Sequence, residues 1–325
     1  MKRLLVTGSS GFVGSTVLEV VGNRAEFDDF EVVMPRTPIE LLDKKKLINA
    51  VRETRPDCVL HLAAQSFVPS SVDDPRTTYN INFFGTLNLL EALHSCGFKG
   101  RMLYVGSGEV YGWVEPTALP AIETQPLRPR NPYSVSKAAA ELLCNQWTQA
   151  HNFDIVMARP FNHIGPQQAD WFVVPDFARQ VMEIKLGLRE PVVSVGSIDV
   201  TRDFTDVRDV VSAYLLLLRQ GNTGEVYNVC SGREQSIRNM LERLIVLAAV
   251  KCTIAQDKSR IRPTEQKRMY GSYEKLRQQT GWQPVTAFDQ SLTEVLAHWK
   301  NKLKGTSKNS LISRHIVNVG RVCTL

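Results

Sequence analysis

The 325-residue sequence contains no apolar run approaching the roughly 18 residues that a membrane-spanning helix requires. Its opening, Met1-Lys2-Arg3-Leu4-Leu5-Val6-Thr7-Gly8, has too short an apolar stretch for a signal peptide and runs directly into glycine. Close cysteine pairs are missing as well. Cys58, Cys96, Cys144, Cys230, Cys252 and Cys323 are scattered and lack metal-ligand spacing. That pattern predicts reduced thiols, a cytoplasmic location and no metal. Repeats, low-complexity linkers and a basic stripe interleaved with aromatics are absent, which argues against a nucleic-acid partner. Residues 301–325 have no acid and five basic residues, Lys302, Lys304, Lys308, Arg314 and Arg321. Without those five charges the formal +6 falls to +1, so the excess basicity belongs to the end of the chain. Residues 304–325 read as a solvated tail with no assigned role.

What is present starts at the first strand. Lys2–Thr7 reads as a short buried strand, and Gly8-Ser9-Ser10-Gly11-Phe12-Val13-Gly14 leads from it into an apolar-periodic helix. Glycines in such a loop allow a tight turn and close approach to a pyrophosphate, and the helix N-terminus presents N–H groups to the phosphates. The spacing is Gly-x-x-Gly-x-x-Gly, and its placement between strand and helix points to dinucleotide binding. Phe30–Met34 reads as the second strand and runs into Pro35-Arg36-Thr37. Arg36, with no acid beside it in sequence, suits a ribose 2′-phosphate. NADP(H) is therefore favoured, with NAD(H) as the alternative. Asp57–Ala64 reads as a buried strand ending in small residues, with His61 as a core histidine.

Asn80–His94 is expected to be helical, and Arg101–Val105 to be a strand ending in Gly106-Ser107-Gly108-Glu109. Asn131-Pro132-Tyr133-Ser134-Val135-Ser136-Lys137 then opens a helix running to about Ala150. Residues four apart share a helix face, so Tyr133 and Lys137 stack, and an ammonium there is expected to lower the tyrosine pKa. Asp154–Arg159 reads as a further strand. Alternation of strand and helix to this point predicts a doubly wound parallel sheet over residues 1–162. After Gly165 the rhythm changes, with helices around Val174–Gly187, Val207–Gln220, Ile237–Val250 and Asp289–Lys302, and a strand at Glu225–Val229. Residues 163–303 are therefore expected to form a smaller α+β substrate lobe, some of it packed back on the first.

Thr7-Gly8-x-x-Gly11-x-x-Gly14, the Asp57…Ala63-Ala64 strand, Asn82, Ser107 and Tyr133-x-x-x-Lys137 together resemble the extended short-chain dehydrogenase/reductases acting on nucleotide sugars. Arg159-Pro160-Phe161-Asn162-His163-Ile164-Gly165-Pro166, Ile184-Lys185-Leu186-Gly187-Leu188, Asp199-Val200-Thr201-Arg202-Asp203-Phe204 and Arg262-Pro263-Thr264-Glu265 are similar to the GDP-mannose dehydratase branch, above all to its reductase member. The resemblance covers about residues 1–300. It implies a Rossmann domain whose Gly8, Gly11, Phe12, Val13 and Gly14 meet the cofactor phosphates. Glu40 and Leu41 would lie near the adenine, and Ala63, Ala64, Gln65 and Asn82 on the ribose and nicotinamide side. Lys137 would hold the nicotinamide ribose, and Ser107 and Tyr133 the sugar C4 oxygen. Asn162, Lys185, Arg202, Arg262 and Glu265 would hold the GDP moiety.

The implied reaction is NAD(P)H-dependent reduction of the C4 ketone of GDP-4-keto-6-deoxy-D-mannose, in a homodimer. Its rivals are 4,6-dehydration, C4 epimerisation, reduction to the talose epimer and, on the same fold, a cofactor-sensing module without catalysis. Glu109 bears on the choice, because elimination across C5–C6 needs a carboxylate beside the tyrosine. Gly108 speaks against it, since dehydratases tend to carry a polar or acidic side chain there.

Overall fold

A computed structural model describes residues 1–261 and 266–319, with side chains through residue 305 in the last helix. In chain order the strands are β1 (Lys2–Thr7), β2 (Phe30–Val33), β3 (Cys58–His61), β4 (Arg101–Val105), β5 (Asp154–Pro160), β6 (Asn162–Ile164), β7 (Val192–Val195), β8 (Thr201–Asp206), β9 (Val226–Val229), β10 (Glu234–Ser236) and β11 (Thr253–Gln256). The α-helices are α1 (Phe12–Asn23), α2 (Lys44–Thr54), α3 (Val68–Asp73), α4 (Pro75–Tyr79), α5 (Gly85–Ser95), α6 (Pro132–His151), α7 (Val173–Lys185), α8 (Val207–Gln220), α9 (Ile237–Ala248), α10 (Glu274–Thr280) and α11 (Phe288–Val319).

Six strands form one parallel sheet in the order β2-β1-β3-β4-β5-β9. Its strands are nearly continuous in apolar residues because both faces are covered. Period-2 alternation divides them between two cores. Leu4, Val6, Leu60, Leu103, Val105, Val156 and Ala158 point to the side of α1 and α8, where Val17, Val20, Val210 and Tyr214 meet them. Leu5, Val59, Met102, Tyr104, Ile155 and Met157 point to the side of α2, α5 and α6, against Leu47, Leu89, Leu93, Cys144 and Trp147. The doubly wound sheet is thus as the sequence predicts. All six strands being parallel, their carboxyl ends lie along one edge, where open α/β sheets bind ligands.

The chain divides into two units. The first comprises residues 1–163, 200–235 and 266–286, and the second residues 164–199, 236–265 and 287–325. In the second unit α7 packs against α9 and α11, and β7 pairs with β11 in parallel. Buried Phe177, Val181, Leu241, Leu244, Leu292, Val295 and Trp299 supply its core.

Several boundaries differ from the sequence reading. Strand β3 ends at His61 and Leu62–Ala64 continue as loop. The helix expected over Asn80–His94 is a π-helical turn at Asn80–Phe84 followed by α5. The last helix runs on to Val319, well past Lys302. No helix among the described residues is long and apolar enough to cross a membrane, and no metal-ligating cluster occurs among them.

Candidate active site

The glycine loop follows β1 directly. Gly8 adopts φ +77°, and a Cβ there would stand 3.0 Å from the Ala63 nitrogen. At Gly14 a Cβ would lie 2.2 Å from the Gly8 carbonyl oxygen, so no side chain fits. The turn closes with the Gly11 N–H donating to the Gly8 carbonyl at 3.0 Å, and Gly11 caps α1. The three glycines therefore leave backbone exposed in this loop, at the positive end of a 12-residue helix without an acid in its first turn.

His61 is neutral and structural, as expected. Burial, reinforced by the charge of Lys137, pulls its pKa down to about 3. Its Nδ1 lies 2.7 Å from Thr7 Oγ1 and its Nε2 3.0 Å from Thr86 Oγ1. Thr7 Oγ1 in turn accepts the Ala63 N–H at 3.2 Å, fixing the loop that faces Gly8. Two residues further along the loop, at Gln65, Asn82 does similar work. Its Oδ1 accepts the Gln65 N–H (2.8 Å), and its Nδ2 donates to the Gln65 carbonyl (3.0 Å) and to Ser136 Oγ (2.9 Å). Asn82 sits in the π-helical turn, a distortion often found at functional sites. A buried Asn82 so engaged joins the β3 loop to the helix carrying Tyr133 and Lys137.

That helix, α6, starts with a capping box between Asn131 and Ser134, and Pro132 takes its first turn. Tyr133 and Lys137 follow on one face, both buried. Burial pushes the Tyr133 phenol up to about 12; a hydrogen-bonding interaction with Ser107 works against the shift, and the Glu109 charge adds to it. The expectation that Lys137 lowers this pKa is not met. The Lys137 Nζ donates to the Val105 carbonyl at 2.6 Å and lies 5.1 Å from the centre of the Tyr104 ring. Its own pKa falls to about 8 because burial penalises the ammonium more than Cys144 and Glu141 support it. Desolvation outweighs the pairwise effect that the spacing suggested.

Ser107 follows the end of β4 by two residues and caps a short 3-10 turn, its Oγ accepting the Glu109 N–H at 3.1 Å. Glu109 itself is exposed. Gly108 is enclosed, and a Cβ there would stand 3.1 Å from the Phe161 ring. Gly271 flanks the same ring, with a virtual Cβ only 2.5 Å away. Phe161 is thus wedged between two backbones, a constraint that the sequence alone did not signal.

The charged candidates are differently placed. Arg36 is highly exposed and pairs with Glu53 of α2 at 3.2 Å, so an acid does stand beside it, supplied by the fold and not by its sequence neighbours. Glu40 pairs with Lys46 at 2.6 Å, while the buried Leu41 gives its carbonyl to Asn88 at 2.9 Å. Asn162, exposed, donates to the Asp203 carbonyl at 3.3 Å. Arg202 Nη1 donates to the carbonyls of Thr201 (2.7 Å) and Gln266 (2.9 Å). In the second unit Lys185 donates to the Ala248 carbonyl at 2.7 Å, at the end of α9. Arg262 and Glu265 lie outside the described residues.

One buried charge was overlooked in sequence. Arg159, on β5, forms a two-point pair with Glu141 of α6 at 2.6 and 2.9 Å, and reaches the Tyr111 hydroxyl at 2.9 Å. Burial works against this guanidinium, but the Glu141 hydrogen bonds and charge prevail and raise its pKa. The pair ties the tyrosine–lysine helix to the sheet.

A glycine loop after the first strand of a parallel sheet, with Ser107, Tyr133 and Lys137 buried beyond β4 and on α6, is the arrangement of a short-chain dehydrogenase/reductase. Residues 27–295 match a family model described as GDP-mannose 4,6 dehydratase, and the chain belongs to that family. It is similar to the GDP-6-deoxy-D-mannose reductase of Pseudomonas aeruginosa, at 46% identity over 93% of this chain and 99% of the relative. The solved structure of RMD from Pseudomonas aeruginosa complexed with NADPH superposes with a TM-score of 0.89, covering 93% of this chain and 100% of that one at 46% identity. The UDP-glucose 4-epimerase of Thermus thermophilus complexed with NAD follows at a TM-score of 0.80 and 31% identity, covering 92% and 99%.

Proposed function

We infer that the chain is an NAD(P)H-dependent reductase that converts the C4 ketone of GDP-4-keto-6-deoxy-D-mannose to GDP-D-rhamnose. Near-full-length similarity to GDP-6-deoxy-D-mannose reductase carries this reading. The site adds a chemical reason, because its tyrosine is held protonated, the state a ketone reduction needs.

The residues present fit a dinucleotide. A Cβ at Gly8 or Gly14 would fill the cradle, so backbone N–H groups of the loop are left to meet a pyrophosphate. NADP(H) is the favoured cofactor, as in the related NADPH complex, and NAD(H) is the alternative. Gly8, Gly11, Phe12, Val13 and Gly14 would hold its phosphates, Arg36 the 2′-phosphate, and Glu40 and Leu41 the adenine side. Ala63, Ala64, Gln65 and Asn82 would line the ribose and nicotinamide side. Asn162, Lys185, Arg202, Arg262 and Glu265 are the proposed contacts to GDP, arginine forks being suited to phosphate oxygens.

When bound, the reduced nicotinamide supplies the hydride. Tyr133 would give its phenolic proton to the C4 oxygen as negative charge develops there, and Ser107 would donate a second hydrogen bond to the same atom. The Lys137 ammonium, charged below about pH 8, would hold the nicotinamide ribose.

Glu109 favours one second reading. Its negative charge is felt at Tyr133, where a 4,6-dehydratase would need a carboxylate. The two are separated by adding NADPH and GDP-mannose pretreated with a dehydratase. Steady loss of NADPH fluorescence is the expected result. No consumption, with a keto sugar formed from GDP-mannose alone, establishes the dehydratase instead.

A homodimer completes the reading. Val135 and Leu142, seven residues apart and so on one face of α6, are exposed, as are Val72 on α3 and Phe84 in the π-helical turn. We expect a second copy to cover them. Light scattering should give twice the 36.5 kDa chain mass, and Leu142→Arg should give the monomer.

A further inference from the structure

The Asp203 carboxylate lies at the centre of a small knot in the first unit. It is fully buried on β8. Its Oδ1 accepts the N–H and the Oγ–H of Ser231, at 2.7 and 2.6 Å. Its Oδ2 accepts the N–H of Gly232 at 2.9 Å and that of Gly271 at 3.4 Å. One side chain therefore joins β8 to the loop after β9 and to the segment around residue 271. Burial pushes its pKa up to about 6 despite these donors, so the knot carries a desolvation cost that packing alone does not require.

What the knot holds is informative. Arg202 precedes Asp203, and its side chain spans from β8 to the Gln266 carbonyl. The same stretch is laced to β8 by the Thr201 N–H donating to the Lys267 carbonyl (2.8 Å) and the Met269 N–H to the Thr201 carbonyl (3.3 Å). Asn162 donates to the Asp203 backbone carbonyl. Glu265 comes immediately before Gln266 in sequence, and Arg262 four residues before it. Of the residues proposed to grip GDP, Arg202 is thus the immediate neighbour of this carboxylate in the chain, and Asn162 bonds the backbone of the same residue. Glycine at 232, where φ is +72°, lets the N–H turn to Oδ2.

We propose that Asp203 is a positioning residue for the nucleotide sugar: its carboxylate fixes the Ser231–Gly232 and Gly271 segments against β8, and so sets Arg202, Asn162 and the start of the 266–271 stretch for the GDP moiety. The proposal rests on the reading of the substrate as a GDP-sugar. Cofactor binding is outside its reach, because the glycine cradle and the β3 loop are fastened by Thr7, His61 and Asn82 instead. Asn in place of Asp keeps shape and one acceptor but turns an NH2 towards N–H donors. Ser231→Ala removes one donor only.

The test compares wild type, Asp203→Asn and Ser231→Ala by calorimetric titration with GDP-mannose and, separately, NADPH, together with steady-state kinetics on the keto sugar. Asp203→Asn should weaken GDP-mannose binding and raise the sugar KM by about tenfold or more, as expected when charged hydrogen bonds are lost. Ser231→Ala should do so about threefold. NADPH affinity should stay within about twofold and kcat should fall less than KM rises. Wild-type sugar affinity in a folded Asp203→Asn protein would overturn the proposal. So would NADPH affinity falling in parallel, which marks a merely structural role. Should Asp203→Asn not fold, an unchanged sugar KM in Ser231→Ala overturns it alone. A wild type that binds NADPH but not GDP-mannose refutes the GDP-sugar reading, and the proposal with it.

Discussion

The tyrosine–lysine pair and the cations proposed for the phosphates face opposite electrostatic problems. Tyr133 and Lys137 are buried, and desolvation governs both, keeping the phenol protonated and weakening the ammonium. Arg36, at the other extreme, lies on the surface in a pair with Glu53. Exposed pairs of that kind contribute about 0–1 kcal/mol, so the guanidinium can be exchanged from carboxylate to phosphate at little cost. The first region spends stability to set proton affinity. Arg36 keeps its charge exchangeable until a ligand arrives.

The contrast breaks most visibly at Tyr133. Tyr133→Phe keeps the packing and removes only the proton, so kcat should fall by about 10³, within the range for general acids, with the sugar KM little changed in steady-state assays. Gly14→Ala comes next. Its Cβ would overlap the Gly8 carbonyl, and the 1–3 kcal/mol typical of overpacking corresponds to NADPH binding about 5–150-fold weaker in a fluorescence titration.

Lys137 gives a pH signature of the buried region. Its folded pKa, about 8, lies below the ordinary 10.5. Between these values the unfolded chain holds more proton than the folded one, so the contribution of Lys137 to stability improves as pH rises from 8 towards 10.5. The charge needed at the site is lost over the same range. Wild-type kcat should therefore decline as pH rises through about 8, while the difference in melting temperature between wild type and Lys137→Met shifts in favour of wild type. The smallest effect belongs to the exposed region. Arg36→Ala should raise the NADPH KM by no more than about tenfold, the order of one charge-assisted contact, and leave the NADH KM unchanged.

Much of the fold was readable in sequence because its causes are local. Near-continuous apolar runs in β1, β3, β4 and β5 announce a sheet covered on both faces, and Gly8, Gly11 and Gly14 mark the turn into α1. The Ser107, Tyr133 and Lys137 assembly was readable as residue types at a helical spacing. Its electrostatics were not, since the balance between burial and pairing depends on Tyr104 and Val105 from β4 and on how deeply α6 is buried. Asn82 was singled out only through the family resemblance, since the π-helical turn that carries it leaves no mark in apolar periodicity. Arg159 and Asp203 show the same limit. Their roles depend on Glu141, Ser231 and Gly271, partners separated from them by 18, 28 and 68 positions.

The most direct test of the account uses NADPH carrying deuterium at nicotinamide C4, on the face transferred, with NMR of the isolated nucleotide sugar. Deuterium at sugar C4 of GDP-D-rhamnose, formed together with NADP+, is the predicted result. Unlabelled sugar with NADPH intact, and GDP-mannose converted to its 4-keto-6-deoxy form, would contradict it.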